Sequence, residues 1–243
     1  MQSIQEYHFT TIGSTNTWAK DNVHLFSQER LVVITADEQT TGRGRFSRVW
    51  ISPAGKNLYL TLCFLTDLEP SLVGNIPQVL AVSAALVLES LSFQPQLKWP
   101  NDILLSQKKL GGILCETVRD EKGLWVILGI GININMDSSQ LAEIDRPATS
   151  LLNESGKLHS ITEVKKDLVQ RFQHTLPTFN REGFSPFYED FKRRFNLRKG
   201  EPISVQAGNL RLKGSFEALQ PDGSLVIKLE DGRLQSVNSG EIV

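Results

Sequence analysis

The sequence predicts an α+β protein, in which helices and a sheet form one domain and a small β-barrel follows at the C-terminal end. Over roughly the first 197 residues, segments of helical periodicity are interspersed with short apolar segments typical of strands. Beyond them, short strand-like pieces are separated by turn dipeptides such as Asp222-Gly223 and Asp231-Gly232, which are strong hairpin signals. We therefore expect two domains, residues 1–197 and residues 198–243.

The composition is that of an ordinary globular protein. The chain has 243 residues, 40% of them hydrophobic, and its 26 basic and 27 acidic residues give a formal net charge of −1. This near-neutral charge argues against a protein that mainly wraps nucleic acid, because neutralising phosphates requires a basic excess. The longest apolar stretch, Val79 to Leu88, is about half the length of a bilayer span. This stretch is therefore too short to cross a membrane. Cys63 and Cys115 have no metal-ligand spacing, which indicates free thiols in a reducing compartment. Because the N-terminus does not resemble a signal peptide, we expect a cytoplasmic protein.

Two helices and three strands are predicted in the N-terminal part. A capping side chain precedes a helix from about Thr15 to His24, and the β-branched run Leu31 to Thr35 indicates a strand. Residues 49–64 are expected to form two strands joined at Pro53-Ala54-Gly55. A long buried helix should then run from about Ile76 to Leu91.

The remaining elements complete the main sheet and form the barrel. Apolar segments around Leu97, Ile113 and residues 125–134 are expected to be strands. A capping box at Ser160 begins an amphipathic helix, and Ser185-Pro186 begins another. The barrel strands are expected in the pieces PISVQA, LRLKGSFEAL, SLVIKLE and LQSVNS. The turns between them are expected at Gly208-Asn209, Asp222-Gly223 and Asp231-Gly232.

Residues 42–48, Gly-Arg-Gly-Arg-Phe-Ser-Arg, form a candidate phosphate-binding loop. Glycine lets backbone N–H groups approach an anion closely, and arginine offers forked donors to phosphate or carboxylate. The segment does not match a dinucleotide-binding fingerprint, because Ser47 stands at the third glycine and a strand-like segment follows. Taken alone, the loop is explained equally well as a solvated basic turn.

Two shorter motifs combine polar residues with a constrained backbone. In Lys98 to Asp102, Lys-Trp-Pro-Asn-Asp, the proline favours an extended residue before a turn that presents an amide and a carboxylate. Lys109 comes shortly before Gly111-Gly112, where a strand begins, and glycine in a strand often marks the close approach of a ligand or another backbone. A plain surface turn and a β-bulge with an exposed lysine are the respective alternatives.

Glycines and asparagines alternate along a predicted buried strand. Gly129, Gly131, Asn133 and Asn135 share one face of it, because successive side chains of a strand point to opposite faces. A strand beneath a tightly packed helix would explain the glycines but not the asparagines. We therefore predict that this face is the wall of a pocket.

In their order and approximate spacing, these motifs resemble those of biotin–protein ligases. The matching segments are Ser14-Thr15-Asn16, GRGRFSR, KWPND, KLGGI, GIGIN and the closing Gly240-Glu241-Ile242. The resemblance extends from about residue 9 to the end, and the combination is far more specific than any single motif. It implies a catalytic domain similar to class II synthetase domains, with a mixed sheet backed by helices, followed by an SH3-like barrel. It also implies a ligase that uses ATP with Mg²⁺ to make biotinyl-5′-AMP from biotin, and then transfers biotin to a lysine of a biotin carboxyl carrier protein domain.

The resemblance also assigns roles to residues. Those implied to bind biotin are Ser14, Thr15, Asn16, Gln39, Arg43, Gly44, Arg45 and Lys109. Those implied to bind the nucleotide are Arg48, Trp50, Asn101, Gly112, Gly131 and Asn133. Those implied to act in catalysis are Arg45, Lys109 and Asp102, and no metal ligands are identified. The cations among them would screen the repulsion between the biotin carboxylate and the α-phosphate, and the loop would order over the adenylate and protect it from water.

Two features bear on how closely the chain follows this family. Ser47 stands where the family loop commonly has glycine, and a positive φ there would strain the loop by about 1 kcal/mol or more. Because the Ser-Thr-Asn motif begins at residue 14, we expect no N-terminal helix-turn-helix and no binding to operator DNA.

Two other functions are compatible with parts of the pattern. The closest in chemistry is a lipoate ligase or octanoyltransferase of related fold, against which the tryptophan of KWPND and the full GRGR loop favour biotin. A non-catalytic biotin-binding module is of a different class. Retention of Arg45, Lys109 and Asp102 disfavours it, because storing biotin would not require phosphate-directed cations. The sheet edges of the fold could support a homodimer.

Overall fold

The computed structural model describes residues 3–208 and 210–242 and confirms the predicted α+β class. Its larger sheet has seven strands in the order β1-β2-β3-β7-β6-β5-β4. These strands are β1 (Ile4–Ile12), β2 (Leu31–Gln39), β3 (Leu58–Thr66), β4 (Gln96–Lys98), β5 (Asp102–Leu105), β6 (Lys108–Asp120) and β7 (Gly123–Ile132). Because β1 is parallel to β2 and the other pairs are antiparallel, the sheet is mixed, as expected.

Helices cover both faces of this sheet. They are α1 (Thr15–Asp21), α2 (Pro70–Val73), α3 (Ile76–Ser90), α4 (Ser138–Leu141), α5 (Leu151–Ser155), α6 (Ile161–Glu182) and α7 (Tyr188–Arg194). Along β2, Leu31 and Val33 belong to the main core with α3 and α6, whereas Val32 and Ile34 pack with α1 on the other face. This burial on both faces explains why the strand is a continuous apolar run. No helix of the described residues is both long enough and apolar enough to cross a membrane.

The predicted helices are confirmed, with small changes at their ends. The long helix begins at Ile76 and ends at Ser90, and Ser160 caps α6 by accepting the N–H of Glu163. The first helix ends earlier than predicted, because a separate 3₁₀ turn occupies Val23–Leu25. A 3₁₀ turn at Ser185–Phe187 likewise precedes α7.

Two strand predictions need correction. The edge strand β1 was not predicted. None of its residues is fully buried, so its sequence lacks a strong apolar pattern. The prediction of a strand over residues 49–51 is wrong. In this segment Val49 forms only an isolated bridge with Arg43, and the Trp50 N–H donates to the Gly42 carbonyl. The backbone thus pairs with the preceding glycine-rich loop instead of joining the sheet.

The C-terminal segment forms a five-stranded antiparallel sheet, which confirms the four predicted strand pieces. Its strands are β8 (Pro202–Ala207), β9 (Leu210–Leu219), β10 (Leu225–Leu229), β11 (Leu234–Val237) and β12 (Glu241–Ile242), in the order β11-β10-β9-β8-β12. Gly223 and Gly232 have φ values of +81° and +84° in the predicted turns, where glycine is favoured. The turn predicted at Gly208-Asn209 includes Asn209, which lies outside the described residues.

One hairpin turn of this sheet docks onto the larger sheet and its helices. The carbonyl oxygen of Gly223 accepts hydrogen bonds from Gln78 Nε2 at 2.9 Å and from Trp99 Nε1 at 3.0 Å. Both donors belong to buried side chains. Because Trp99 is part of the KWPND motif, this contact places the polar residues of that motif beside the C-terminal sheet.

Candidate active site

A cavity of about 370 Å³ lies where the ends of several elements meet. Its wall is formed by the N-terminus of α1, the end of β2, the loop over residues 42–51, the starts of β5 and β6, and the end of β7. All fifteen predicted site residues line it, namely Ser14, Thr15, Asn16, Gln39, Arg43, Gly44, Arg45, Arg48, Trp50, Asn101, Asp102, Lys109, Gly112, Gly131 and Asn133. The structure therefore brings the predicted residues together, and their individual roles stay predictions.

Hydrogen bonds fix the polar groups where α1 begins. Ser14 is the N-cap of α1, and the backbone N–H and hydroxyl of Thr15 both donate to Gln39 Oε1, at 2.9 and 3.1 Å. Gln39 Nε2 donates to Ser52 Oγ at 3.2 Å. The amide of Gln39 thus has a fixed orientation in the cavity wall. A preorganised set of hydroxyls and amides suits a small polar ring that needs both donors and acceptors.

The Asn16 side chain is held on three sides. Its Nδ2 donates to the Leu114 carbonyl and to Glu116 Oε2, both at 3.2 Å, and its Oδ1 accepts from Thr61 Oγ1 at 2.7 Å. The amide lies directly on Gly129, where a Cβ atom would come within 2.2 Å of Asn16 Oδ1. Glycine at this position of β7 is therefore what leaves room for the amide.

Lys109 and Asp102 form an ion pair in the cavity wall. Lys109 Nζ lies 2.6 Å from Asp102 Oδ1, and the two side chains are 20% and 18% exposed. The same ammonium lies 5.7 Å from the centre of the Trp50 ring. A Cβ atom on Gly112 would approach Lys109 Cε to 3.1 Å, so this glycine also leaves room for the lysine.

The first arginine of the glycine-rich loop contacts α1 and β6. Arg43 donates to Thr17 Oγ1 and to Glu116 Oε1, each at 3.2 Å. The loop then closes on itself, because the Gly44 N–H donates to the Arg48 carbonyl at 2.8 Å.

The other two arginines of the loop contact the C-terminal sheet. Arg45 donates to the Gly240 carbonyl at 2.8 Å and to Asn101 Oδ1 at 3.3 Å, and Arg48 forms an ion pair with Glu241. Burial lowers the pKa of Arg45, while nearby carboxylates, chiefly Glu241, oppose the shift. The hydrogen bond to Glu241 raises the pKa of Arg48. Both guanidinium groups are charged at neutral pH, so the loop presents fixed positive charge to the cavity.

The loop contains two successive residues in the left-handed region. Phe46 has φ +54° and Ser47 has φ +58°. The positive φ considered for Ser47 is therefore observed, at a position where glycine would carry no steric penalty. Each such residue costs on the order of 1 kcal/mol, so the observed loop conformation is a strained one.

Trp50 covers the glycine face of β7. A Cβ atom on Gly131 would lie 2.5 Å from the Trp50 ring, so the indole rests against the bare backbone. Among the described residues, the buried Trp50 Nε1 has no hydrogen-bond partner. Asn133, just beyond β7, donates to the Thr149 carbonyl at 3.1 Å. The predicted pocket wall is therefore present at Gly129, Gly131 and Asn133.

Asn135 does not belong to this wall, and that part of the prediction is wrong. Because β7 ends at Ile132, the alternation of faces does not continue to residue 135. The Asn135 side chain instead exchanges two hydrogen bonds with the backbone of His159, at 2.8 and 3.0 Å.

Several wall residues are not among the predicted site residues. The segment from Glu143 to Ala148 lines the cavity, and Lys109 holds it through backbone hydrogen bonds to Pro147 and Thr149 at 3.0 and 2.9 Å. Glu241 also lines the cavity. The first segment is an irregular loop without periodicity, so only the tertiary structure reveals it. Glu241 belongs to the closing motif of residues 240–242, but its pairing with Arg48, 193 residues away, is visible only in the tertiary structure.

Comparisons with known proteins agree with this architecture. The Biotin/lipoate A/B protein ligase family matches residues 8–133, and the Biotin protein ligase C terminal domain matches residues 200–243. The bifunctional ligase/repressor BirA of Bacillus spizizenii is 30% identical over 237 residues, which are 95% of this chain and 71% of that protein. The biotin–[acetyl-CoA-carboxylase] ligase of Paracoccus denitrificans is 31% identical over 219 residues, 86% of this chain and 88% of that protein.

A solved structure is similar over the whole chain. The biotin protein ligase from Aquifex aeolicus in complex with biotin and ATP superposes with a TM-score of 0.81 and 28% identity, covering 100% of this chain and 98% of that one. The resemblance drawn from the motifs is thereby confirmed for both parts of the chain. The chain belongs to the Biotin/lipoate A/B protein ligase family, and its last 44 residues match the C-terminal domain of biotin protein ligases.

Proposed function

We propose that this chain is a biotin–protein ligase, which activates biotin with ATP as biotinyl-5′-AMP and then transfers it to a lysine of a carrier domain. The observation that carries the proposal is a single cavity in which fixed amides and hydroxyls share the wall with Lys109 and the three arginines of the glycine-rich loop. A cavity for biotin alone would not need those cations. Relatives named biotin ligases and the Aquifex complex with biotin and ATP support the same function over a lipoate ligase or a storage protein.

The polar groups at the start of α1 and the end of β2 suit the ureido ring of biotin. We assign to biotin Ser14, Thr15, Asn16, Gln39, Arg43, Gly44, Arg45 and Lys109. We assign to the nucleotide Arg48, Trp50, Asn101, Gly112, Gly131 and Asn133, with the Trp50 indole available to stack on adenine. Lys109 then lies between the two sets, where the biotin carboxylate meets the α-phosphate.

In the first step a carboxylate oxygen of biotin attacks the α-phosphorus, the bond to the bridging oxygen breaks, and pyrophosphate leaves. Both reactants are anions, so Lys109 and the arginines offset their repulsion and stabilise the charge that develops on the phosphate oxygens. In the second step the neutral amine of the carrier lysine attacks the acyl carbon, and AMP leaves. Asp102 is placed beside Lys109 as the carboxylate available to accept the amine proton or to bind a metal ion.

We propose that Mg²⁺ enters with ATP instead of being held by the protein alone. Within residues 3–208 and 210–242, no group of three or more His, Cys, Asp or Glu side chains could hold a metal ion. Mg²⁺ commonly takes one or two carboxylates and completes its shell with water and substrate phosphates. Asp102 fits that requirement, and the ion would supply further neutralisation of phosphate charge.

The first test is pyrophosphate exchange into ATP by the purified protein with Mg²⁺, with biotin, lipoate or octanoate as the acid. We expect exchange with biotin only. Exchange with lipoate or octanoate would indicate a ligase for that acid. No exchange would favour a binding module or an acyltransferase that does not use ATP.

Replacing Arg45 with glycine should cause early release of the adenylate. The change removes the hydrogen bonds to Gly240 and Asn101 and one positive charge over the phosphate, so we expect release to be about 10- to 100-fold faster. Retention of labelled biotinyl-5′-AMP through gel filtration measures it. Arg233→Gly, at a side chain that is 78% exposed just before β11, is the matched control. Unchanged retention in Arg45→Gly, or equal loss in the control, would contradict the assigned role.

We further propose the carrier and the cellular setting. The carrier is the biotin carboxyl carrier protein domain of a biotin-dependent carboxylase, which the name of the Paracoccus relative supports.

The free thiols Cys63 and Cys115 support a cytoplasmic location. The edge strand β1 supports a homodimer. A domain boundary between residues 197 and 198 is supported by β8, which begins the C-terminal sheet at Pro202.

A further inference from the structure

Glu116 is a carboxylate next to the site that none of the motifs includes. It lies on β6, its side chain is 17% exposed, and three donors converge on it. They are Asn16 Nδ2 at 3.2 Å, Lys20 Nζ at 2.9 Å and Arg43 Nη2 at 3.2 Å. Two of the three donors belong to residues assigned to biotin, so Glu116 contacts the biotin site through its neighbours.

The charge of Glu116 is well compensated. Burial raises the pKa of the carboxyl group, but the hydrogen bonds from Lys20 and Asn16 and the charge of Arg43 outweigh it, so the pKa lies below its ordinary value. Glu116 is therefore ionised at neutral pH. An ionised carboxylate only accepts hydrogen bonds, and it makes charge-assisted ones with all three donors.

This carboxylate contributes to fixing which way the amide of Asn16 points. With Nδ2 facing Glu116 and the Leu114 carbonyl, Oδ1 must face Thr61. The flipped amide would place Oδ1 against two acceptors and leave Nδ2 facing the hydroxyl. Glu116 and the Leu114 carbonyl therefore together select one of the two orientations of Asn16.

The same carboxylate holds Arg43 across the gap between the glycine-rich loop and the sheet. Arg43 is 42% exposed and, besides Glu116, contacts Thr17 of α1. A long exposed side chain held by a charge-assisted bond loses less rotamer freedom when it later contacts a ligand. The orientation of Asn16 and the restraint on Arg43 both affect ligand binding, and neither acts on the reacting atoms.

We propose that Glu116 is a positioning residue for biotin recognition, which acts by orienting the amide of Asn16 and the guanidinium of Arg43. The inference rests on the proposed ligase function. It differs from a purely structural role, in which Glu116 would only join α1 to β6 through its ion pair with Lys20.

The test compares the kinetics of adenylate formation in three variants. Glu116→Gln keeps the shape of the side chain but loses the charge, and it should raise the KM for biotin about tenfold while kcat and the KM for ATP stay within about twofold. Lys20→Met removes only the ion pair between α1 and β6, and it should leave the KM for biotin within about twofold. Glu217→Gln, which removes a carboxylate paired with Lys199 on the C-terminal sheet, is the charge-matched control and should behave as wild type.

Three results would overturn the proposal. The first is a KM for biotin within twofold of wild type in Glu116→Gln, and the second is an equal rise in Lys20→Met. The third is failure of both Glu116→Gln and Glu116→Asp to fold, because the carboxylate would then be needed for stability. A wild-type protein without biotin-dependent exchange would instead refute the ligase function, so the two failures are distinguishable.

Discussion

Replacing Lys109 with alanine is expected to slow the formation of biotinyl-5′-AMP by about 10²- to 10³-fold, the range typical for loss of one preorganised group that stabilises charge in a transition state. Lys109 Nζ lies in the cavity wall, 2.6 Å from Asp102, and the three arginines of the glycine-rich loop are the other cations assigned to offset the repulsion between the two anions. Without the lysine, the biotin carboxylate would approach the α-phosphate with less compensation. The carboxylate of Asp102 would also stand unpaired beside the reacting anions.

The neighbouring residue provides a matched control. Lys108 is exposed and does not line the cavity, so Lys108→Ala should retain wild-type exchange. Thermal unfolding of both proteins checks that the fold is retained, because the loss of Lys109 leaves the mostly buried Asp102 carboxylate without its ion-pair partner. The measurement is single-turnover formation of adenylate from biotin and ATP. Normal activation in Lys109→Ala would show that this lysine is peripheral to the reaction.

Adding a single methyl group at Gly129 is expected to weaken biotin binding by about 100-fold. A Cβ atom at this position would lie 2.2 Å from Asn16 Oδ1 and 2.8 Å from its Cγ, so the amide must leave its place. Its hydrogen bonds to Thr61, Leu114 and Glu116 are then lost or distorted. A displaced amide loses its contact with the ligand and also occupies part of the space for biotin, and a combined cost of about 2–3 kcal/mol gives this magnitude.

The assignment of this effect to Asn16 can be tested by a double-mutant cycle. In an Asn16→Ala background the added methyl group meets no amide, so Gly129→Ala should have little further effect on the affinity for biotin. Isothermal titration with biotin, without ATP, measures each step of the cycle. Additive losses would show that Gly129→Ala acts by deforming β7 and not by displacing the amide.

How far the sequence predicted this site depends on where each residue lies. Gln39 lies at the end of β2, and Gly129 and Gly131 lie on one face of β7. Because successive side chains of a strand point to opposite faces, the sequence indicates which residues share a face. The glycine-rich loop and KWPND are short local segments whose turn chemistry is visible in the sequence. The fifteen residues that line one cavity were assigned through the family resemblance that these motifs carry together, and not from strand period or turn chemistry alone.

The residues that sequence analysis missed depend on contacts between distant segments. Glu116 is one polar residue in a strand, and only the approach of α1 and the glycine-rich loop gives it three partners. The segment from Glu143 to Ala148 has no helical or strand periodicity, and it becomes a cavity wall because it pairs with the backbone of Lys109. The strand β1 was missed because it lies at an edge, where less apolar surface is buried.

The contacts of Arg45 and Arg48 with Gly240 and Glu241 also have a consequence for the order in which the protein is completed during synthesis. The partners are separated by 195 and 193 residues along the chain. At about 5–20 residues per second, a ribosome needs about 10–40 s between making the loop and making the strand that holds it. For that interval the nascent chain has the loop but not its anchor. The site is therefore among the last parts of the protein to be assembled, although its most recognisable motif is among the first to be translated.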